Sequence, residues 1–130
     1  MSSDLLLLTL ALVCACPLTA VAGQSWDTTE KTQFAAVTVV RLADMAQTLQ
    51  IARHATTIEP GYVYSETNPL LGAHPSVASV AGYFLASHAV LYFAADYLPP
   101  VYRKMFLTGA LTISASYVQK NASLGLKIGF

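Results

Sequence analysis

A stretch of 21 residues, 75–95, limits what this chain can fold into more than any other part of its sequence. His88 is its only side chain that can carry a charge near neutral pH, and most of its other residues are apolar. A helix of about 20 predominantly apolar residues is long enough to cross the hydrocarbon layer of a bilayer. The stretch therefore predicts a membrane-spanning helix.

The composition agrees with a membrane location. Apolar residues make up 55% of the 130 residues and charged residues 11%, against about 25% charged in an ordinary soluble domain. A chain this short buries too small a fraction of its surface to hide so many apolar side chains in a core. Seven basic residues balance seven acidic ones, so no basic field indicates nucleic acid. We expect membrane lipid as a partner and no nucleic acid.

The N-terminus predicts an export signal. Residues 5–16 form an apolar run that is short for a span and typical of a signal peptide core, and Pro17 interrupts it. Residues 20–22, Ala-Val-Ala, fit a signal peptidase site, so residues 1–22 are a signal peptide or an N-terminal anchor. Cys16 is a candidate for lipidation because the residues before it resemble a lipobox. Export would place the chain in a bacterial envelope, in the inner membrane rather than the outer.

A second helix is predicted at residues 30–52, capped by Thr28 or Thr29. Its polar residues recur at helical spacing, which makes it amphipathic. Arg41 and Asp44 stand three residues apart and are a candidate polar pair. An Arg or Asp at the centre of a span costs about 2.5–3.5 kcal/mol. This helix should therefore lie at the membrane interface or place its polar face against protein.

The segment 65–76, called the elbow below, separates these two predicted helices. Asn68 is a good helix cap, and Pro69 suits a first helical position. Gly72 suits a left-handed stop, and Pro75 suits the start of the next helix. We expect a structured elbow that fixes the angle between its neighbours. Its candidate residues are Glu66, Asn68, Pro69, Gly72, His74 and Pro75.

The C-terminal part predicts a third helix. Pro99 and Pro100 end the spanning helix, and Arg103 and Lys104 begin an apolar run that reaches residue 118. The two helices would form a transmembrane hairpin. Residues 124–130 alternate apolar residues with Gly and Lys, which predicts a short strand or an ordered tail.

Candidate functional residues are few. Small residues four apart, Ala78, Gly82 and Ala86, form a groove against which another helix can pack. His88 is expected to be a buried, neutral, hydrogen-bonded histidine, with a role in ion coupling as the alternative. The spacings of the His and Glu residues in 54–76 are not diagnostic of a metal site. No nucleophile–base–orienter set can be named, so we expect no enzyme, no cofactor and no metal.

Several motifs together resemble a known group of proteins. They are Asp44…Gln47-Thr48, the loop Glu66-x-Asn68-Pro69-Leu70-x-Gly72-x-His74-Pro75-Ser76, a Tyr-Phe-bearing span and a Pro-Pro-x-x-Arg turn. The combination resembles uncharacterised small helical membrane proteins of bacteria and bacteriophages, over residues 40–130. The resemblance implies a helical membrane protein and brings no reaction with it.

The sequence thus predicts an all-α membrane protein with an amphipathic helix, a structured elbow and a transmembrane helical hairpin. Residues 23–130 would form its single domain. We expect a small structural or interaction protein of the envelope that packs with a membrane protein partner or in a homo-oligomer. The alternative is an ion- or proton-coupled transport component that uses Asp44 and His88.

Overall fold

The computed structural model describes residues 24–53, 66, 68–126 and 128, and three α-helices account for most of them. They are α1, Thr28–Arg53, α2, Val77–Tyr97, and α3, Pro100–Ser123. The all-α class is confirmed for the described part of the chain, which contains no strand. The predicted N-terminal signal, including Cys16, lies outside the described residues.

Helix α1 begins with a reciprocal cap between Asp27 and Glu30. The Glu30 N–H donates to Asp27 Oδ1, and the Asp27 N–H donates to Glu30 Oε2, each at 2.8 Å. Two of the free N–H groups at the helix start are satisfied in this way. The predicted caps, Thr28 and Thr29, are therefore wrong, because the cap lies one residue earlier at Asp27.

Helix α2 is capped by Ser76, whose hydroxyl accepts the Ser79 N–H at 3.0 Å. Pro75 does not occupy the first helical position as predicted. It lies just before the cap and is buried. At the other end the Leu98 N–H returns to the Ala95 carbonyl, and the chain turns into α3 within two residues.

Helix α3 starts directly at Pro100, which needs no N–H partner at that position. After Ser123 the chain turns through Gly125, whose φ of +87° is open to glycine at little cost. The Leu126 N–H then donates to the Asn121 carbonyl at 3.1 Å. Of the two predictions for the tail, the strand does not form in its described residues, because this turn folds the chain back onto α3.

Helix α1 packs against both other helices, most extensively against α3, whereas α2 and α3 meet each other least. It runs antiparallel to α2, since Trp26 bonds Asp96 at one end and Leu49 packs on Val80 at the other. It runs parallel to α3, because the contacts from Glu30 to Arg103 and from Asp44 to Asn121 follow the same direction. Helices α2 and α3 are thus held together mainly by the contacts that each makes with α1, and less by contacts with each other.

Two apolar clusters hold the three helices together. Near the turn, Val37, Leu91, Ala95 and Leu107 bring all three helices into one cluster. Near the elbow, the second cluster joins α1 to α2 and to the elbow residue Leu71, with no member from α3. At that end polar contacts join α1 to α3, from Asp44 to Asn121 and from Gln47 to the Val118 carbonyl.

The outer surface of the helices is apolar to an unusual degree. One helix, α2, is long and apolar enough to cross a membrane, and 17% of its apolar window is buried within the described structure. Large apolar side chains remain exposed along it, among them Leu85, Val90 and Phe93. Burial of these side chains requires something outside this three-helix unit.

Candidate functional site

The most completely buried polar contact lies at the turn and centres on Arg103. This side chain is 0% exposed, and its Nη1 donates to Glu30 Oε2 at 3.1 Å. Its Nε donates to the Ala95 carbonyl at 2.9 Å and its Nη2 to the Leu98 carbonyl at 3.0 Å. A guanidinium here adds donors to the carbonyls at the end of α2, of which that of Ala95 also accepts the Leu98 N–H, and its charge is favourable at a helix C-terminus.

Trp26 covers this ion pair on one side. The Arg103 guanidinium lies 5.0 Å from the centre of the indole, and the indole N–H donates to Asp96 Oδ1 at 2.8 Å. A second ion pair, Asp27 with Lys104 at 2.7 Å, lies on the surface beside the first. Together these contacts fix the start of α1 to the turn between α2 and α3.

Arg41 lies in the middle of α1 and has a different environment from Arg103. Its Nη2 donates to the Ser87 hydroxyl, and its guanidinium lies 5.6 Å from the centre of the Phe84 ring. Its Nε is buried without a hydrogen-bond partner. The side chain is therefore placed against α2 with only part of its donor set used.

The predicted polar pair, Arg41 with Asp44, does not form a direct contact. Asp44 accepts a hydrogen bond from Asn121 Nδ2 at 3.0 Å, so it faces α3 while Arg41 reaches α2. The two ion pairs among the described residues are both at the turn. A separation of three positions permits pairing on a helix surface, but the two neighbouring helices draw these side chains apart.

Two further polar side chains of α1 contact α3 or the residues just after it. Gln33 donates to the Thr108 hydroxyl at 3.0 Å, and Gln47 donates to the carbonyls of Val118 and Leu126. Thr48 is buried. These polar side chains of α1 therefore lie against protein, which is one of the two placements predicted for the helix.

His88 lies half-buried between α1 and α2. Its Nε2 is 3.3 Å from the Thr38 hydroxyl, and its ring lies 5.1 Å from that of Phe34. The structure does not bring His88 and Asp44 together. His88, on α2, contacts Thr38 of α1, whereas Asp44, on α1, contacts Asn121 of α3. The proposed coupling of these two residues has no direct contact behind it.

The small residues Ala78, Gly82 and Ala86 are all exposed on α2. A Cβ built at Gly82 would meet no atom within 4 Å. The groove predicted for a partner helix is thus not filled by α1 or α3.

The elbow contains a turn centred on Asn68. Its side chain accepts the Leu70 N–H at 3.0 Å, and its own N–H donates to Glu66 Oε1 at 2.9 Å. Its carbonyl accepts N–H groups from Leu71 and Gly72. Gly72 has a φ of +73°, a left-handed conformation that glycine adopts at little cost. Pro69 and His74 are exposed.

The described residues contain no group of three His, Cys, Asp or Glu side chains that could hold a metal ion. His54 and Glu59, considered above for such a site, lie outside the described residues.

Sequence reasoning missed the Glu30–Arg103 pair. The two residues are separated by 73 positions, and no local pattern links residues so far apart. The cap was detectable, because Asp27 stands three residues before Glu30 and resembles a capping box.

Comparison of the chain with known protein families, with curated proteins and with solved structures finds no match.

Proposed function

We propose that this protein is a small structural or interaction protein of a bacterial envelope membrane, resembling the small helical membrane proteins described above. The observation that carries the proposal is the distribution of polarity. Charged and amide side chains of α1 contact the other helices, whereas large apolar side chains of α2 are exposed. This is the arrangement expected of helices surrounded by lipid, in which intramembrane polar groups face protein.

The lengths of the helices support the same placement. Helix α2 has 21 residues, about 32 Å at 1.5 Å per residue, close to the thickness of a hydrocarbon layer. Because α1 and α3 run along its length, they would cross the same layer beside it. The aromatic residues exposed near the turn, Tyr92, Tyr97 and Tyr102, suit the membrane–water boundary at one end.

A partner helix would contact the outward face of α2. Small residues at Ala78, Gly82 and Ala86 allow close approach of two helix backbones, which drives helix association in lipid by van der Waals contact. Their exposure leaves that face open to a membrane protein partner or to a second copy of this chain.

A photo-reactive amino acid at Ala86 tests this function. We expect a discrete cross-linked protein product in native membranes, because Ala86 would lie in the partner contact. The matched control is Ala115, an exposed alanine in the middle of α3, which should give lipid adducts. Gly82→Leu should abolish the Ala86 product. Equal products from both positions, or persistence in Gly82→Leu, would contradict the proposal.

The second candidate is ion or proton coupling at Asp44. One observation favours it: this carboxylate has an amide partner, Asn121, and takes part in neither of the ion pairs of the described residues. Asp44→Asn separates the two functions. A coupling acid predicts an assembled but inactive protein, whereas a structural role predicts lower stability or loss of assembly.

A further inference from the structure

We propose that Arg41 receives a carboxylate from a partner transmembrane helix at the middle of the membrane. The inference rests on the proposed function but concerns a second contact, because Arg41 lies with Ser87 and Phe84 on the side of α2 that faces α1 and not beside the outward small residues. Its basis is the position of the guanidinium and the donors that the described residues leave unused.

Arg41 is at mid-depth by two independent counts. It is the fourteenth of the 26 residues of α1, and its hydrogen-bond partner Ser87 is the eleventh of the 21 residues of α2. If α2 crosses the bilayer, the guanidinium therefore lies near the midplane. A cation there is costly unless it is paired.

The donor set of Arg41 is largely unsatisfied. A guanidinium carries five N–H donors, and the hydrogen bond found for Arg41 goes to a neutral hydroxyl, that of Ser87. Its Nε is buried and has no acceptor. The Phe84 ring makes a cation–π contact with the guanidinium, which helps to position the side chain. It offers no acceptor to the N–H groups, which lie in the plane of the guanidinium.

Arg103 is the internal comparison. Its guanidinium is fully buried, whereas that of Arg41 is partly exposed, and it contacts a carboxylate and three backbone carbonyls. Arg41 contacts none of either kind among the described residues. The nearest acid along α1, Asp44, is engaged by Asn121 on the side of α3.

A partner helix carrying Glu or Asp would supply the charged acceptor that Arg41 lacks among the described residues. A carboxylate has two oxygens that accept parallel N–H groups from a guanidinium, which makes this pair stronger and more directional than a neutral hydrogen bond. Lipid phosphates are a poor alternative, because they lie about 15 Å from the midplane of a layer roughly 30 Å thick. Arg41 is partly exposed, so an approaching helix can reach it.

Designed transmembrane helices provide the test. Two leucine-rich helices, one with a central Glu and one with a central Gln, carry a dansyl group and are mixed with the protein in phosphatidylcholine vesicles. Energy transfer from Trp26, the single tryptophan of the chain, reports association. We expect the Glu helix to bind about tenfold more tightly, as for one added charge-assisted hydrogen-bonded contact.

Arg41→Gln should remove this preference, whereas Lys104→Gln, which changes a cation at the turn, should retain it. Equal binding of the two helices to the wild-type protein overturns the inference, and so does a preference that survives Arg41→Gln. The wild-type comparison needs no variant to fold. Equal binding that is still lost in Gly82→Leu would leave the proposed function standing while this inference fails.

Discussion

Arg103 joins the end of α2 to the start of α1, and its contact at the start of α1 also neutralises its charge. Its guanidinium is buried among the Ala95 and Leu98 carbonyls and the Glu30 carboxylate. Removing one partner from a buried ion pair leaves the other charge uncompensated. The sequence does not indicate that Glu30 and Arg103 form a buried ion pair, because its local pattern shows Arg103 only as a cation beside a turn.

Arg103→Met should lower the free energy of unfolding by about 3–5 kcal/mol, because Glu30 would keep a buried charge without a partner. Denaturant unfolding in detergent, followed by the fluorescence of Trp26, measures the change. The adjacent Lys104→Met is the control and should have a much smaller effect, since its ion pair with Asp27 lies at the surface. Glu30→Leu combined with Arg103→Met should recover part of the loss. Equal stability of the two single variants would show that the pair is not structural.

Asp27 predicts a pH dependence at the same end of the molecule. The Lys104 ammonium donates a hydrogen bond that holds the pKa of the Asp27 carboxyl below its usual 3.8, and the backbone N–H of Glu30 acts in the same direction. A carboxyl that is more acidic when folded adds stability above its unfolded pKa, and this is lost as pH falls through the folded pKa.

The matched variant is Asp27→Asn, which keeps an oxygen to cap α1. We expect the wild type to melt at a higher temperature than Asp27→Asn near pH 6. The difference should shrink below about pH 3.8 and vanish once Asp27 is protonated. A difference that stays constant to the lowest pH would assign the effect to the cap alone.

The helices themselves were largely predictable. The pattern over residues 30–52 gave α1 within two residues of its bounds, Thr28–Arg53. The apolar stretch 75–95 gave the length of α2 but placed it two residues early, because Ser76 caps the helix and Val77 rather than Pro75 is its first residue. Periodicity identifies a helix, but it does not say which neighbour each side takes. The partners of Arg41 and Asp44 therefore could not be predicted.

The elbow gives a prediction for one short element. Asn68→Ala should cost about 1 kcal/mol, because the Leu70 N–H loses its acceptor. Gly72→Val should cost roughly 1–2 kcal/mol. Since a Cβ at Gly72 meets no atom within 4 Å, this second cost is conformational and involves no clash.

Thermal unfolding in detergent measures both changes, and the double variant should melt below either single variant. Gly82→Ala is the control, since it also adds a Cβ into open space but lies within a helix that accepts alanine. A double variant that melts with the wild type would reduce the elbow to a linker.

The three-helix arrangement makes a prediction for the whole molecule. Because α1 is antiparallel to α2 and parallel to α3, Ser25 and Tyr102 should lie on one side of the membrane. Ala73 and Ser123 should lie on the other. Single cysteines at these exposed positions, in a chain with Cys14 and Cys16 replaced by serine, can be labelled with a membrane-impermeant thiol reagent.

We expect the pair Ser25 and Tyr102 to label together from the outside if the N-terminus is exported, with the other pair protected until the membrane is opened. Labelling of Ser25 and Tyr102 from opposite sides would mean that α1 does not cross beside α2. Arg103 and Lys104 would lie outside in this topology, where Glu30 and Asp27 offset their charges.

The contact between Glu30 and Arg103 also has a consequence in time. The chain is synthesised from its N-terminus, so α1 is made 73 residues before the arginine that completes its first turn. At about 5–20 residues per second, Glu30 waits roughly 4–15 seconds for its partner. Throughout that interval Asp44 and Gln47 lack their partners, which lie in α3 and beyond, whereas Arg41 can meet Ser87 and Phe84 once α2 has been made. Of the described helices, α1 is thus made first, and its polar contacts are completed only when α3 has been synthesised.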